Sequence, residues 1–295
     1  MEKFCDSCPR KCCVDRDKTT GFCGATNVCQ ISKVMFHHWE EPVISGDENS
    51  KGSGAIFFSH CNLKCVYCQN YEISHFDCGK SYTDEELANL FKELEQQGAL
   101  NINLVTPTHY IKNIINALNI YKPKIPIVYN TGGYENPEEL KKLIGLIDVY
   151  LTDFKYYSNS LAEKYSSAPN YLENARECLK VMRENCKEDV IENGLMKKGI
   201  IVRHLVLPNH TDDSLKVLEE IKNILGEKTY VSLMSQYTPY GRACEFEEIN
   251  RKLKPLEYKR VKNYMIKLGF TNGFVQELCS ATEEYIPDFK NKKEQ

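Results

Sequence analysis

From residue 55 onward, short apolar runs alternate with stretches whose apolar residues recur every three or four positions. The runs at 55–59, 101–105, 125–130, 147–152, 199–206 and 230–234, with a short last one at 273–276, predict strands. Segments such as Ile147-Asp-Val-Tyr-Leu151 and Ile201-Val-Arg-His-Leu-Val-Leu207 are rich in β-branched residues, as parallel strands covered on both faces are. The intervening patterns predict helices at 83–97, 109–120, 137–145, 170–186, 212–225 and 255–268. In the first, Thr83 and Glu86 form a capping box, and Leu87, Leu90, Phe91 and Leu94 share one stripe. Six βα units in succession require right-handed crossovers. The expected fold is α/β: a partial (β/α)6 parallel barrel with a Cys-rich N-terminal segment.

That segment, residues 1–50, lacks clear periodicity. Pro42 and the Gly/Ser-rich stretch 46–54 read as a connection into a main domain spanning 51–285, and 286–295 form a charged tail. His37 and His38 are adjacent and so point to different sides of any regular element, which predicts a packed or surface pair rather than joint ligands.

With 42% hydrophobic and 27% charged residues, the composition suits a chain that buries a real core. A net charge of −3 and a pI near 6.2 give no reason to expect a nucleic-acid or membrane surface. No apolar run approaches the roughly 20 residues that cross a bilayer, and the N-terminus lacks a signal-peptide shape, so the expected location is cytoplasmic. Fourteen cysteines change the picture. Nine lie in the first 68 residues, a clustering that suits metal binding in a reducing, oxygen-poor cell better than a disulfide framework.

Cys61-x3-Cys65-x2-Cys68 follows the first predicted strand directly. Disulfides between such close neighbours would be strained and would leave one thiol over. A structural zinc site would need a fourth ligand that is not nearby. Iron–sulfur clusters use thiolates at this spacing, and three ligands leave one iron open. Upstream, Cys5, Cys8, Cys12 and Cys23 could bind zinc or a second iron–sulfur cluster, with Cys13 and Cys29 as substitutes, or remain reduced structural thiols. Spacing does not choose among these.

Active sites of such folds lie at the carboxyl ends of the strands. There the sequence places Thr106-Pro-Thr108-His109, Asn130-Thr-Gly-Gly-Tyr-Glu135, Asp153-Phe-Lys155, Arg203-His204 and Ser235-Gln236-Tyr237. Asp153 and Lys155 share a strand face and could pair or bind a zwitterion. Arg203 and His204 point to opposite sides, so one of them faces the helices.

Taken together, these residues resemble the radical S-adenosylmethionine (SAM) enzymes. Tyr67 fills the aromatic position before the third cysteine, and Asn70 follows as in the glycyl-radical-enzyme activases. Cys5-x2-Cys-Pro-Arg10, Gly21-Phe-Cys-Gly24, Glu40-Glu-Pro-x-Ile-Ser-Gly46, Asn101-Ile-Asn-Leu-Val-Thr-Pro-Thr-His109 and Ser232-Leu-Met-x-Gln-Tyr-Thr-Pro239 extend the match along most of the chain. They resemble the "X" branch of pyruvate formate-lyase-activating-enzyme-related iron–sulfur proteins.

The resemblance implies a [4Fe-4S] cluster on Cys61, Cys65 and Cys68, with SAM on its open iron. Reductive cleavage would give methionine and a 5′-deoxyadenosyl radical that abstracts hydrogen from a substrate, with an electron donor such as a flavodoxin or ferredoxin. SAM-binding residues would include Tyr67, Asn70, Thr106, Thr108, His109, Asn130, Asp153, Lys155, Arg203 and Gln236. The Gly-Gly-Glu motif with which many relatives hold the SAM amino group is absent, which points to the Thr106 or Thr108 hydroxyl instead. The branch suggests a glycyl radical enzyme as the substrate; another peptide or a small molecule is the alternative. An iron–sulfur electron carrier or metal-binding interaction module is the reading from another class, and six polar strand ends argue against it.

Overall fold

The computed structural model describes residues 4–276; the expected tail at 286–295 and the end of the main domain beyond 276 lie outside them. In chain order the elements are β1 (Cys29–His37), α1 (Pro42–Ser45), β2 (Ser53–Phe58), α2 (Tyr71–His75), β3 (Lys80–Tyr82), α3 (Asp84–Gln96), β4 (Ile102–Val105) and α4 (Ile111–Ile120). There follow β5 (Ile127–Thr131), α5 (Pro137–Lys141), β6 (Val149–Asp153), α6 (Asn159–Ser166), α7 (Tyr171–Asn185) and β7 (Val190–Glu192). The last are β8 (Leu195–Leu205), α8 (Thr211–Leu225), β9 (Tyr230–Met234), α9 (Pro255–Lys267) and β10 (Gly273–Val275).

The sheet runs β10-β9-β8-β6-β5-β4-β2-β1-β3. All pairings from β2 through β10 along this order are parallel, so the predicted partial barrel is present. Helices cover its outer face with an apolar layer that includes Phe91, Ile114, Tyr129 and Leu218. The first βα helix starts with the expected reciprocal cap: the Thr83 hydroxyl accepts from the Glu86 amide, and the Glu86 carboxylate accepts from the Thr83 amide.

Residues 29–37, which carry no clear periodicity, form a strand. β1 pairs antiparallel with β2 and β3, extending the sheet beyond the edge where a full barrel would close. Its side chains are mostly half-buried, so neither strict alternation nor a solid apolar run marks it. The chain after β1 also departs from expectation. Instead of merely connecting segments, it enters the concave side of the sheet, where Ile44 of α1 packs with Val128, Val149, Leu151 and Ile201. The Asn101 side-chain amide donates to the Ile44 carbonyl at 2.7 Å, fixing this plug. Also not predicted were α2, β3, α6 and the short hairpin of β7 with β8. Among the described residues no helix is long and apolar enough to cross a membrane.

Candidate active site

Strand register decides which polar residues meet. Val105 of β4 pairs with Asn130 of β5, and Asp153 of β6 pairs with Arg203 of β8, so their side chains share the concave face. Beyond them the loop after β2 closes a cavity of about 230 Å³. Cys61, Cys65, Cys68, Tyr67, Asn70, Thr106, Asn130, Asp153, Lys155, Arg203 and Gln236 all line it.

The floor is a charged network. The Arg203 guanidinium donates to Asp153 Oδ1 at 3.0 Å, Glu40 Oε2 at 3.1 Å and Asn130 Oδ1 at 2.6 Å. Lys155 Nζ donates to the other Asp153 oxygen. Glu40 Oε1 accepts from both Asn103 and Asn130 at 3.0 Å. Burial pushes the Asp153 carboxyl up, but Lys155 and Arg203 outweigh it and hold the group below its ordinary range. Burial alone would lower Lys155, yet Asp153 keeps it firmly protonated. The neighbouring Glu41 is different. It is fully enclosed, and burial raises its carboxyl more than Arg203 lowers it. The floor therefore carries two cations against two anions, Glu40 and Asp153, which suits a ligand bearing both an ammonium and a carboxylate.

Glu40 was not anticipated as a site residue. It reaches the floor because the plug carries it across the concave face, and nothing in local periodicity reveals that. His37, whose ring packs edge-on against Phe57 at 6.0 Å, and Leu63 and Met234 are further cavity residues that were not anticipated.

Two expected site residues turn away. The Thr108 hydroxyl donates at 2.7 Å to Glu135, which also accepts from Tyr129 at 3.0 Å and from Thr131. Glu135 is fully buried with hydroxyls as its donors, and burial raises its carboxyl. His109 is buried against the Ser59 carbonyl at 2.7 Å, and burial drops its pKa to about 3. The turn that redirects this stretch begins at Thr106, held at φ +61°, a costly conformation for a β-branched residue. Thr106 itself stays at the cavity. His204 points outward and bonds the Phe154 carbonyl at 2.7 Å, leaving Arg203 inward.

The three cysteines are free thiols, each with one donor aimed at its sulfur. The Leu63 amide donates to Cys61 at 3.3 Å, Ser166 Oγ to Cys65 at 3.0 Å and Ser74 Oγ to Cys68 at 3.4 Å. Burial pushes the Cys68 thiol up to about 11 and also raises Cys61, so binding a metal must displace protons. Among the described residues no three His, Cys, Asp or Glu side chains close on a single ion. A cube-shaped cluster asks for something else, since each thiolate bonds its own iron. Free thiols, buried or partly buried, with donors at every sulfur fit that group.

Behind Cys65 runs a buried chain of hydroxyls. Tyr67 and Tyr156 meet at 2.5 Å, and Tyr156 meets Ser166 at 2.7 Å. Ser166 donates its hydrogen to Cys65 and so accepts from Tyr156, which in turn accepts from Tyr67. The cavity wall is thus linked through hydroxyls to the Cys65 sulfur.

Residues 55–221, more than half the chain, match the family model of the radical SAM superfamily. The chain belongs to that superfamily. Its members use a [4Fe-4S] cluster and SAM. The uncharacterized protein MJ0674 of Methanocaldococcus jannaschii is 34% identical over 264 residues, covering 85% of this chain and 71% of that protein. A second protein of that organism, MJ0808, is 24% identical over 255 residues, covering 76% of this chain and 68% of its own. Among solved structures, Streptococcus suis SuiB bound to precursor peptide SuiA aligns with a TM-score of 0.52 at 14% identity, over 75% of this chain. The chain spans about half the length of SuiB, covering 48% of it, and the likeness is one of fold.

Proposed function

We propose that this radical SAM enzyme cleaves SAM reductively over a [4Fe-4S] cluster on Cys61, Cys65 and Cys68 and takes hydrogen from a peptide, in the manner of a glycyl-radical-enzyme activase. The observation that carries the reading is the meeting of those three thiols with Asn130, Asp153, Lys155 and Arg203 around one cavity. When bound, the cluster and SAM together supply an electron, a sulfonium bond to break and a carbon-centred radical.

The protein's residues bind, orient and shield. Asp153 presents an anion to the SAM ammonium, and Lys155 and Arg203 present cations to its carboxylate. Glu40 and Asn130 keep Arg203 aimed by holding two of its nitrogens. Leu63, Val105, Leu205 and Met234 line the cavity with apolar surface that keeps water from a reactive centre. Tyr67 borders the adenine. Thr106, rather than Thr108, is the threonine left to meet the amino group. A peptide substrate is supported by the sequence resemblance to the activases, and SuiB, of the same fold, is seen with a precursor peptide.

Under anaerobic, reducing conditions the reconstituted protein should release 5′-deoxyadenosine, and Cys65→Ala should abolish release while the fold survives. Intact SAM over a fully reduced wild-type cluster would overturn the chemistry. For the substrate, a candidate glycyl radical enzyme carrying α-deuterated glycine should pass deuterium into 5′-deoxyadenosine. Unlabelled product formed with that enzyme present would remove the activase assignment and leave the cleavage chemistry standing.

A further inference from the structure

Cys5, Cys8, Cys12 and Cys23 are free thiols that do not line the cavity; the unassigned chemistry that does line it comes from the chain after β1. His37 pairs with Ser53, the first residue of β2, whereas the cysteine loop leaves from its last residue, Phe58. Five steps of about 3.3 Å put roughly 16 Å of strand between the two points. His37 and Trp39 therefore enter the cavity from the end opposite the three thiols.

His37 is built into that end with one bond unmade. It is 8% exposed and its ring stands edge-on against Phe57, yet Nδ1 has no hydrogen-bond partner. Among the described residues with such an orphaned buried nitrogen or oxygen, His37 alone lines the cavity. Burial holds the imidazole below its ordinary pKa; the Glu40 carboxylate pulls the other way, and His38 and Arg203 lower it further. A neutral imidazole offers one donor and one acceptor. An orphaned polar atom is costly to keep, and at a cavity wall a ligand can complete it.

Charge narrows what that ligand is. The charged side chains lining the cavity, Glu40, Asp153, Lys155 and Arg203, are already bonded to one another as two cations against two anions. A zwitterion can exchange into that set without upsetting its balance, but no spare charge faces a second ligand. Phe57, against which His37 stands, packs with Ala55, Ile73 and Val105, so the wall there is apolar. An anion brought to it would be buried unpaired, whereas a neutral amide would meet an imidazole and hydrocarbon. Trp39 is 63% exposed, the most exposed of the residues lining the cavity, and so stands at its opening. Exposed indoles are favoured anchors for protein and peptide partners. We propose that His37 and Trp39 form the substrate end of the cavity, where the imidazole hydrogen-bonds a backbone amide of a peptide that enters past the indole. The proposal rests on the peptide reading above and gives that reading its recognition residues.

Trp39 is the chain's single tryptophan, so indole fluorescence reports on this site alone. The probe is N-acetylglycine N-methylamide, a neutral pair of amides, titrated into the full-length protein after anaerobic reconstitution with iron and sulfide. Ionised N-acetylglycine, which replaces one amide by a carboxylate, is the control. The neutral probe should shift the emission saturably to shorter wavelength, and the anion should bind at least about tenfold more weakly. His37→Phe keeps a ring against Phe57 and removes both nitrogens, which should weaken the neutral probe about three- to tenfold, the worth of one hydrogen bond. His37→Gln restores a donor and an acceptor and should recover most of that loss. No saturable shift, an anion bound as tightly as the amide, an unchanged affinity in His37→Phe, or a His37→Gln protein no better than His37→Phe would overturn the proposal. If His37→Phe fails to fold by circular dichroism, the two probes on wild type decide alone. Failure of the radical reading looks different: SAM would stay intact over a reduced cluster while the amide still bound.

Discussion

Glu40→Ala tests whether the plug is bolted to the barrel floor by charge. The substitution removes the 3.1 Å bond from Arg203 and the shared acceptor of Asn103 and Asn130. Both ion-pair partners are largely enclosed, with side chains 15% and 10% exposed, so solvent screening is weak. Removing one member of a buried pair costs about 3–5 kcal/mol. Arg203 keeps its second carboxylate, Asp153 at 3.0 Å, which places the expected loss near the lower end, about 3 kcal/mol. For a chain of this size that lowers the melting temperature by roughly 6–12 °C. Glu40→Gln keeps an acceptor for the two asparagines and loses only the charge, so it should fall between. Thermal and urea unfolding of the three proteins without cofactors measures this directly. A Glu40→Ala protein melting within about 2 °C of wild type would refute the reasoning, because the plug would then be held by Ile44 and its apolar neighbours alone.

The loop after β5 offers a steric test: a Cβ at Gly133 would sit 2.1 Å from the Asp153 carbonyl oxygen at φ +76°, so Gly133→Ala should cost at least about 2 kcal/mol, read as a urea midpoint. Glu135 offers a pH test. Its folded carboxyl lies above the ordinary value because of burial, so its contribution to folding is complete below the unfolded value and is lost as pH rises through the folded one. Glu135→Gln should therefore gain on wild type between about pH 5 and about pH 8, and an equal offset at both would refute this. His109, pushed down to about 3, has the opposite sign: it stabilises above its unfolded value and loses that stabilisation as pH falls, so His109→Gln should flatten the acid limb of the unfolding curve. Finally, Ser166→Ala removes the 3.0 Å donor from Cys65, and the cluster's midpoint potential should shift downward because the more negative reduced state loses a stabilising hydrogen bond. Potentiometric titration followed by EPR reads that shift, and an unchanged potential would sever the hydroxyl chain from the cluster.

Much of this molecule is determined locally, and that part is readable from the sequence. The six apolar runs and six amphipathic stretches specify βα units because period and capping are properties of neighbouring residues, and handedness then allows essentially one way to lay them into a parallel sheet. The Cys61, Cys65, Cys68 spacing is equally local, and Asp153 and Lys155 reach the cavity because their strand ends there. The tertiary structure decided what depends on partners distant in sequence. β1 is a strand because β2 offers it an edge, its own pattern being too mixed to announce it. Thr108 faces Glu135, 27 residues away, because a fully buried carboxyl needs donors more than the cavity needs a threonine. Ser166 becomes a partner of Cys65 only when α6 folds over a loop 101 residues upstream. Glu40 is the sharpest case. Its sequence neighbours mark a connection, and its role as a floor carboxylate exists only once strands β4, β5 and β8 curl around it and leave Arg203, 163 residues away, in need of an anion.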